Sequence, residues 1–381
     1  MKDRVGQTAR GMTDFTSNDH AFMARALRLA ARGMATADPN PRVGCVVVRD
    51  GHVVGEGWHQ LAGEAHAEIY ALESAGEQAR GATVYVTLEP CSHYGRTPPC
   101  VDALIAAGVA RVIAASEDPN PRVGGGGMAA LEAAGVQVAS GLLAEEAEAL
   151  NPGFLKRMRT GLPYVRCKLA MSLDGRTAMA SGESRWITGE SSRRDVHAWR
   201  ARSSAVLTGV GTVLADDPAL TVRNVEEPPG GHRQPERIVF DSRLRTPPGA
   251  ALLRQAGRTT IVYTVPDTAR EMALEAAGAQ LSRGVPGPTQ RVDPALALAV
   301  LGGREINEVL IEAGPTLSGI MLQAGLVDEL ILYMAPHLMG HEGNPLLHLP
   351  ELSRMTDRLG VSVREYRQFG DDLRIIARPS A

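Results

Sequence analysis

Shortages bound this sequence before any motif is read. Four cysteines in 381 residues are too few for a disulfide framework, and they point to a cytoplasmic setting where thiols serve another purpose. No apolar run approaches the roughly 18 residues of a membrane span. The opening stretch MKDRVGQTARGMTDFTSNDH lacks the apolar core and small-residue cleavage site of a signal peptide and reads as a polar extension. A net charge of −3 gives no electrostatic footprint for nucleic acid. Lysine is nearly missing: Lys2, Lys156 and Lys168 stand against 37 arginines, so a lysine inside an ordered element stands out. No repeat of fixed period occurs.

What is present is an alternation of strand and helix patterns in two halves. NDHAFMARALRLAARG reads as a helix with Asn18 as N-cap, Phe22, Ala26 and Leu29 on one face, and Gly33 as its stop. VGCVVV and HVVGEGW, joined by RDG, read as a hairpin. A helix over about 65–74 follows, and then ATVYVTL, VDALIAAG, VARVIAAS, MAALEAAG and VQVAS alternate between strand and helix, the pattern of an open sheet covered by helices. Residues 151–164 read as a linker. Beyond them VRCKLAMSLDG, AVLTGVGTV, RIVFDS, TTIVYT, NEVLIEAG and DELILYMAP are strand candidates between helices, and VEEPPGGHRQPE is a surface loop. The expected domains are 17–160 and 161–379, both α/β.

The first half carries a metal-ligand constellation in HAE at 66–68 and EPCSHYGRTPPC at 89–100. His66, Cys91 and Cys100 sit where strands or turns hand over to helices, whose free N–H groups favour thiolates. Three protein ligands leave the fourth tetrahedral position of a zinc ion open to water, the mark of a catalytic site. Zinc lowers the pKa of such a water from about 15.7 to about 7. Glu68, two residues past the histidine, is placed to shuttle protons rather than to bind metal. Zinc deaminases of nucleobases share the H-x-E element but follow it with P-C-x-x-C, whereas here eight residues separate Cys91 from Cys100. Cys45 and Cys167 lie within strand patterns and read as small core residues.

These motifs, with PNPRVGC and GEGWHQLAGEAHAE upstream, resemble the deaminase half of the bifunctional riboflavin-biosynthesis deaminase/reductases, which use the long cysteine spacing. In the second half KLAMSLDGRTA, GESRWIT, LADDPALTVR and LIEAGPTLSG resemble the reductase half of the same family, and no G-x-G-x-x-G follows its first strand. The resemblance covers about residues 18–378. It implies an N-terminal cytidine-deaminase-like three-layer domain, a C-terminal dihydrofolate-reductase-like domain, zinc and NADPH. It also implies that Asn40 contacts the substrate base. Ser184, Arg200, Leu220 and Arg223 would hold the sugar-phosphate substrate, the arginines by bidentate pairing, and Glu312 would contact the ribose hydroxyls. Lys168, a lysine kept at the head of a strand in a chain that uses arginine almost everywhere, reads as a further substrate-binding residue for its compact ammonium. Ala170, Trp186, Thr212, Asp216, Ser242 and the loop Gly314, Pro315, Thr316, Leu317, Ser318, Gly319 and Ile320 would line the NADPH site. His59 would lie near the ribose phosphate, and His93 and Tyr94 either line the pocket or face solvent.

The implied function is hydrolytic deamination of a diaminopyrimidinone ribotide, then NADPH-dependent reduction of its ribosyl group to a ribityl chain. The implied partners are that small molecule and a second copy of the chain in a homo-oligomer, a dimer being favoured, with neither nucleic acid nor membrane. Two alternatives stay open on residues alone: a deaminase of free bases or tRNA, and a non-catalytic zinc protein. The stretch DPNPRVG occurs at 38–44 and at 118–124 with unlike flanks, so it reads as stiff turn chemistry used twice, Asn40 on the base and Asn120 shaping the wall.

Overall fold

A computed structural model describes residues 15–93, 98–120, 124–223, 225, 233–350 and 352–380. Residues 1–14 of the opening polar extension, Tyr94 and most of the loop 225–236 therefore lie outside the described residues, whereas the end of that opening stretch, from Ser17, is helical. The chain forms two compact units: Met1–Gly33 with Pro41–Asn151, and Met34–Asn40 with Pro152–Ala381. Among the described residues no helix is long and apolar enough to cross a membrane.

The first unit runs α1 (Ser17–Arg32), β1 (Gly44–Arg49), β2 (His52–Trp58), α2 (Ala67–Ala75), β3 (Thr83–Val86), α3 (Cys100–Ala107), β4 (Arg111–Ala114), α4 (Gly126–Ala133), β5 (Gln137–Ser140) and α5 (Ala144–Leu150). The cap of α1 is Thr16 rather than Asn18: the Thr16 hydroxyl accepts from the Asp19 N–H, and the Asp19 carboxylate accepts from the Thr16 N–H. That reciprocal box satisfies two groups where Asn18 could satisfy one. The sheet order is β2-β1-β3-β4-β5, antiparallel through β3 and parallel beyond it. Strand β1 is buried on both faces. Cys45 and Val47 pack with Ala71, Leu104 and Met128 of one helical layer, Val46 and Val48 with Met23, Ala26 and Ala147 of the other, giving three layers. At Gly57 of β2 a Cβ would sit 2.3 Å from the Ala67 carbonyl oxygen. Only glycine lets the start of α2 come that close.

The second unit runs α6 (Pro152–Thr160), β6 (Tyr164–Ser172), β7 (Arg176–Ala178), α7 (Glu190–Arg202), β8 (Ala205–Gly209), α8 (Val210–Asp216), β9 (Glu236–Phe240), β10 (Thr259–Tyr263), α9 (Thr268–Ala276), β11 (Gln280–Arg283), α10 (Pro294–Gly303), β12 (Glu308–Ile311), α11 (Pro315–Gln323), β13 (Glu329–Ala335), β14 (Asn344–Pro345), β15 (Val361–Phe369) and β16 (Asp372–Pro379). The expected linker is thus mostly helix α6. Its Phe154 and Leu155 are buried, and Lys156 pairs with Asp328 at 2.7 Å, so tertiary contacts override the basic, turn-rich composition. Nine strands order as β11-β10-β9-β8-β12-β6-β13-β16-β15, with parallel pairing up to β13 and antiparallel pairing after it. Val165, Leu207, Ile238 and Ile311 pack on one face with Leu298 and Met321; Val206, Val239 and Leu310 occupy the other with Val196, Trp199 and Val213.

The first DPNPRVG copy carries the chain from one unit into the other. The Asp38 Oδ1 accepts from the Ser204 hydroxyl at 2.8 Å and the Asn307 amide at 3.0 Å, all within the second unit. In the first unit Asn151 pairs reciprocally with the Arg42 backbone, at 2.8 and 2.9 Å.

Candidate active sites

The first unit brings His66, Cys91 and Cys100 together. His66 caps α2, Cys100 opens α3, and Cys91 lies in the turn after β3. The His66 Nδ1 is 3.2 Å from the Cys100 Sγ and 3.5 Å from the Cys91 Sγ, and the three ligand atoms lie within 4.8 Å of one another. A tetrahedral zinc with bonds of about 2.0–2.3 Å needs its ligand atoms about 3.3–3.8 Å apart, so the donor set fits that ion. The thiol chemistry agrees. Hydrogen bonding from Cys100 pulls the Cys91 thiol down to about 4, against burial and with help from His66, while the same pairing and burial hold Cys100 well above the ordinary range. One thiol thus ionises at the expense of the other, and a cation held between them would let both ionise.

Glu68, 3% exposed, lies in the first turn of α2, where burial pushes its carboxyl upward against the pull of His66. His59 is buried edge-on to His66, with ring centroids 5.5 Å apart and its Nδ1 3.0 Å from the Ala65 carbonyl. His93 is exposed. Behind the metal cluster, the buried Glu89 carboxylate accepts four backbone N–H groups, from Asp118, Gly125, Gly127 and Met128, at 2.8–3.2 Å. A Cβ on Gly127 would meet the Pro90 carbonyl at 2.0 Å. Asp118, the first residue of the second DPNPRVG copy, is therefore pinned to the turn that presents Cys91 and accepts from the Asn120 N–H at 2.8 Å, while residues 121–123 of that copy lie outside the described residues.

In the second unit a cleft of about 1690 Å³ opens where β8, β9 and β12 end, the position at which open parallel sheets bind ligands. Lys168, Ser184, Arg200, Leu220, Arg223 and Glu312 all line it. So do Ala170, Trp186, Thr212, Asp216 and Ser242, together with Gly314, Pro315, Thr316, Leu317 and Ile320. Ser318 and Gly319 do not. The buried Ser318 hydroxyl donates to the Ala313 carbonyl, and Gly319 packs against the His348 carbonyl. The Thr212 hydroxyl accepts from the Gly314 N–H at 3.2 Å, which ties the two glycine-bearing turns together at the start of α11. Leu220 carries a φ of 51°, a strained conformation for a branched side chain of the kind found at ligand clamps.

Arg200, Glu312 and Lys168 form an interacting charged group in the cleft. Arg200 and Glu312 form a bidentate pair with side chains 13% and 10% exposed, and Arg200 also donates to the Thr221 carbonyl at 3.0 Å. Burial raises the Glu312 carboxyl, but Arg200 and Lys168 outweigh it and leave it below its usual range. Burial pulls the Lys168 ammonium down, Glu312 opposes that, and the net direction is downward. Asn40 stands apart: it belongs to the second unit's segment Met34–Asn40, where its N–H donates to the Ala37 carbonyl at 2.9 Å. The sequence reading passed over Glu89 and His197. The signals were an acid directly ahead of the Pro–Cys turn, and a histidine three positions before Arg200 on one helix face.

A family model described as the cytidine and deoxycytidylate deaminase zinc-binding region matches residues 16–116, and one described as the RibD C-terminal domain matches residues 163–374. The chain is 54% identical over 369 residues to the riboflavin biosynthesis protein RibD of Escherichia coli, covering 93% of this chain and 98% of that protein. It belongs to the riboflavin-biosynthesis deaminase/reductases. The chain is similar to two further members of known structure. RibD of Acinetobacter baumannii has a TM-score of 0.87 at 44% identity, covering 95% of this chain and 99% of that one. A Thermotoga maritima protein described as a diaminohydroxyphosphoribosylaminopyrimidine deaminase/5-amino-6-(5-phosphoribosylamino)uracil reductase has a TM-score of 0.83 at 32% identity over 95% and 99%. The protein is thus a bifunctional enzyme of riboflavin biosynthesis, a hydrolase in its zinc-dependent deaminase and an oxidoreductase in its NADPH-dependent reductase.

Proposed function

We propose that residues 17–160 deaminate 2,5-diamino-6-(5-phosphoribosylamino)pyrimidin-4-one and that residues 161–379 reduce the ribosyl group of the product to a ribityl chain. The observation that carries this reading is the pairing, in one chain, of a His–Cys–Cys cluster beside a buried glutamate with a cleft holding an arginine–glutamate–lysine group and a glycine-bearing helix start. Zinc held by His66, Cys91 and Cys100 supplies the Lewis acidity that makes water a nucleophile near neutral pH. Glu68 holds a proton at its carboxyl oxygen and delivers it to the departing amino nitrogen, so that one water is consumed and one ammonia leaves. Asn40 keeps its assignment to the pyrimidine on the family motif alone.

NADPH supplies the hydride for the second reaction. Ala170, Trp186, Thr212, Asp216, Ser242 and the segment Gly314–Ile320 hold it, with Ser318 and Gly319 bracing that segment from the core side. Free N–H groups at the start of α11 suit a phosphate. Lys168, Ser184, Leu220 and Arg223 hold the ribotide phosphate with Arg200, and Glu312 takes the ribose hydroxyls. Alignment of the sugar carbon against the cofactor is what these groups contribute.

The enzyme acts in the cytoplasm as a homodimer. The cysteines are free, which suits a reducing compartment, and β15 leaves Val361, Val363 and Tyr366 exposed on an outer strand, an edge that proteins usually cover. Mass analysis of the diaminopyrimidine ribotide incubated with protein, with and without NADPH, tests the chemistry. Two successive products are expected, the second only with NADPH; a single product under both conditions overturns the reductase assignment.

A further inference from the structure

His197 belongs to neither half of the assigned machinery, yet it lines the cleft together with Arg200 and Arg223, whose charges both act on its ring. It lies on α7 three residues before Arg200, so the two side chains share one face of the helix. The residue is 9% exposed. The Nδ1 lies 3.0 Å from the Thr221 carbonyl oxygen and 3.2 Å from the Arg223 backbone nitrogen. One nitrogen cannot both donate to the first and accept from the second. The Thr221 carbonyl already accepts from the Arg200 guanidinium at 3.0 Å, whereas the Arg223 N–H has no other hydrogen-bond acceptor among the described residues. The ring proton therefore belongs on Nε2, which has no partner among the described residues.

We propose that His197 is a further substrate-contacting residue of the reductase: its Nδ1 accepts the Arg223 N–H and sets the segment that carries that arginine, and its Nε2–H donates to an oxygen of the sugar phosphate bound between Arg200 and Arg223. The ring's electrostatics agree with this geometry. Burial, then the charges of Arg200 and Arg223, bring its pKa down to about 4 against the pull of the Thr221 carbonyl, so the imidazole is an uncharged donor at working pH. An uncharged donor between two guanidiniums adds a hydrogen bond to the anion without adding repulsion between cations.

This inference rests on the reading of the cleft as the ribotide reductase site. The test compares full-length wild type, His197→Ala and His197→Gln, with NADPH and the deaminated ribotide as substrates. Gln can present an acceptor to the Arg223 N–H and a donor to the substrate; Ala can do neither. His197→Ala is expected to raise the ribotide KM about tenfold with kcat changed less than about threefold. NADPH affinity, read by fluorescence titration, stays at the wild-type value, and His197→Gln recovers most of the lost affinity. An unchanged KM in His197→Ala, or a Gln variant no better than Ala with NADPH binding intact, overturns the proposal. Long-range ¹⁵N–¹H spectra of the histidine rings give a readout free of turnover: Nε2 carries the proton at pH 7 if the assignment is right, and Nδ1 carries it if it is wrong. If wild type itself fails to reduce the ribotide, the reading of the cleft has failed, while the tautomer still reports on the Arg223 contact.

Discussion

The metal centre and the cleft differ in how much chain they need. The metal cluster and its acid come from between His66 and Cys100, with His66, Glu68 and Cys100 at helix starts and Cys91 in the turn after β3. The cleft draws on segments from Lys168 to Asn344, contributed by loops and several strand ends. A metal site needs a few donor atoms at fixed distances, which helix starts and a turn supply locally. A site for a dinucleotide and a sugar phosphate needs a long wall, and only the ends of many strands supply one. Damage should therefore be all-or-none in the first site and graded in the second.

The largest effect sharpens that contrast. His66→Ala should lose both zinc and ammonia release, whereas Glu68→Gln should keep the metal, by elemental analysis, and lose about 10²–10⁴ in deamination rate; NADPH-dependent reduction of the deaminated ribotide continues in both. In the cleft, Glu312→Ala leaves Arg200 buried without its partner and should cost the second unit about 3 kcal/mol in denaturant unfolding, together with a higher ribotide KM. Glu89→Gln probes the shell behind the metal. Its amide N–H₂ must face two backbone N–H groups, so a loss of about 2 kcal/mol is expected, with zinc affinity reduced about tenfold to a hundredfold in chelator competition.

The smallest effect concerns pH. His197 faces Arg200 on its own helix, Arg223 on the adjoining loop and Glu312 from β12, and its folded pKa of about 4 lies below the roughly 6.5 of an unfolded histidine. The unfolded chain therefore binds more protons as pH falls, and stability is lost on acidification through that window. Between about pH 7 and 5.5 wild type should lose about 1 kcal/mol more than His197→Gln. Parallel stability curves for the two would break the link between ring charge and the cleft.

Legibility in the sequence followed the same division. The His66, Cys91 and Cys100 cluster was legible because ligand types so close in sequence suggest a metal site, and the fold brings their ligand atoms within 4.8 Å of one another. The cleft residues were readable only through family motifs, since Lys168, Thr212 and Glu312 converge by strand order, which no local spacing encodes. Helix α6 was misread because Pro, Gly and basic residues mimic a linker, and only the burial of Phe154 and Leu155 makes it a helix. The strands β15 and β16 were passed over because β15 is polar and mostly exposed, without an apolar face to mark it. Glu89 and His197 act on backbone N–H groups far along the chain, and those partners are invisible until the chain is folded.

Asp38 has a consequence for anyone cutting this gene. A fragment beginning at Pro152 looks like a self-contained reductase, but it leaves behind Met34–Asn40. The Ser204 hydroxyl would lose its acceptor while its oxygen still takes the N–H groups of Asn307 and Glu308, and the Asn307 amide would lose both Asp38 and the Pro39 carbonyl. The second compact unit is interleaved in sequence with the first rather than appended to it. A fragment of the second unit is expected to be more stable with those seven residues supplied than without them.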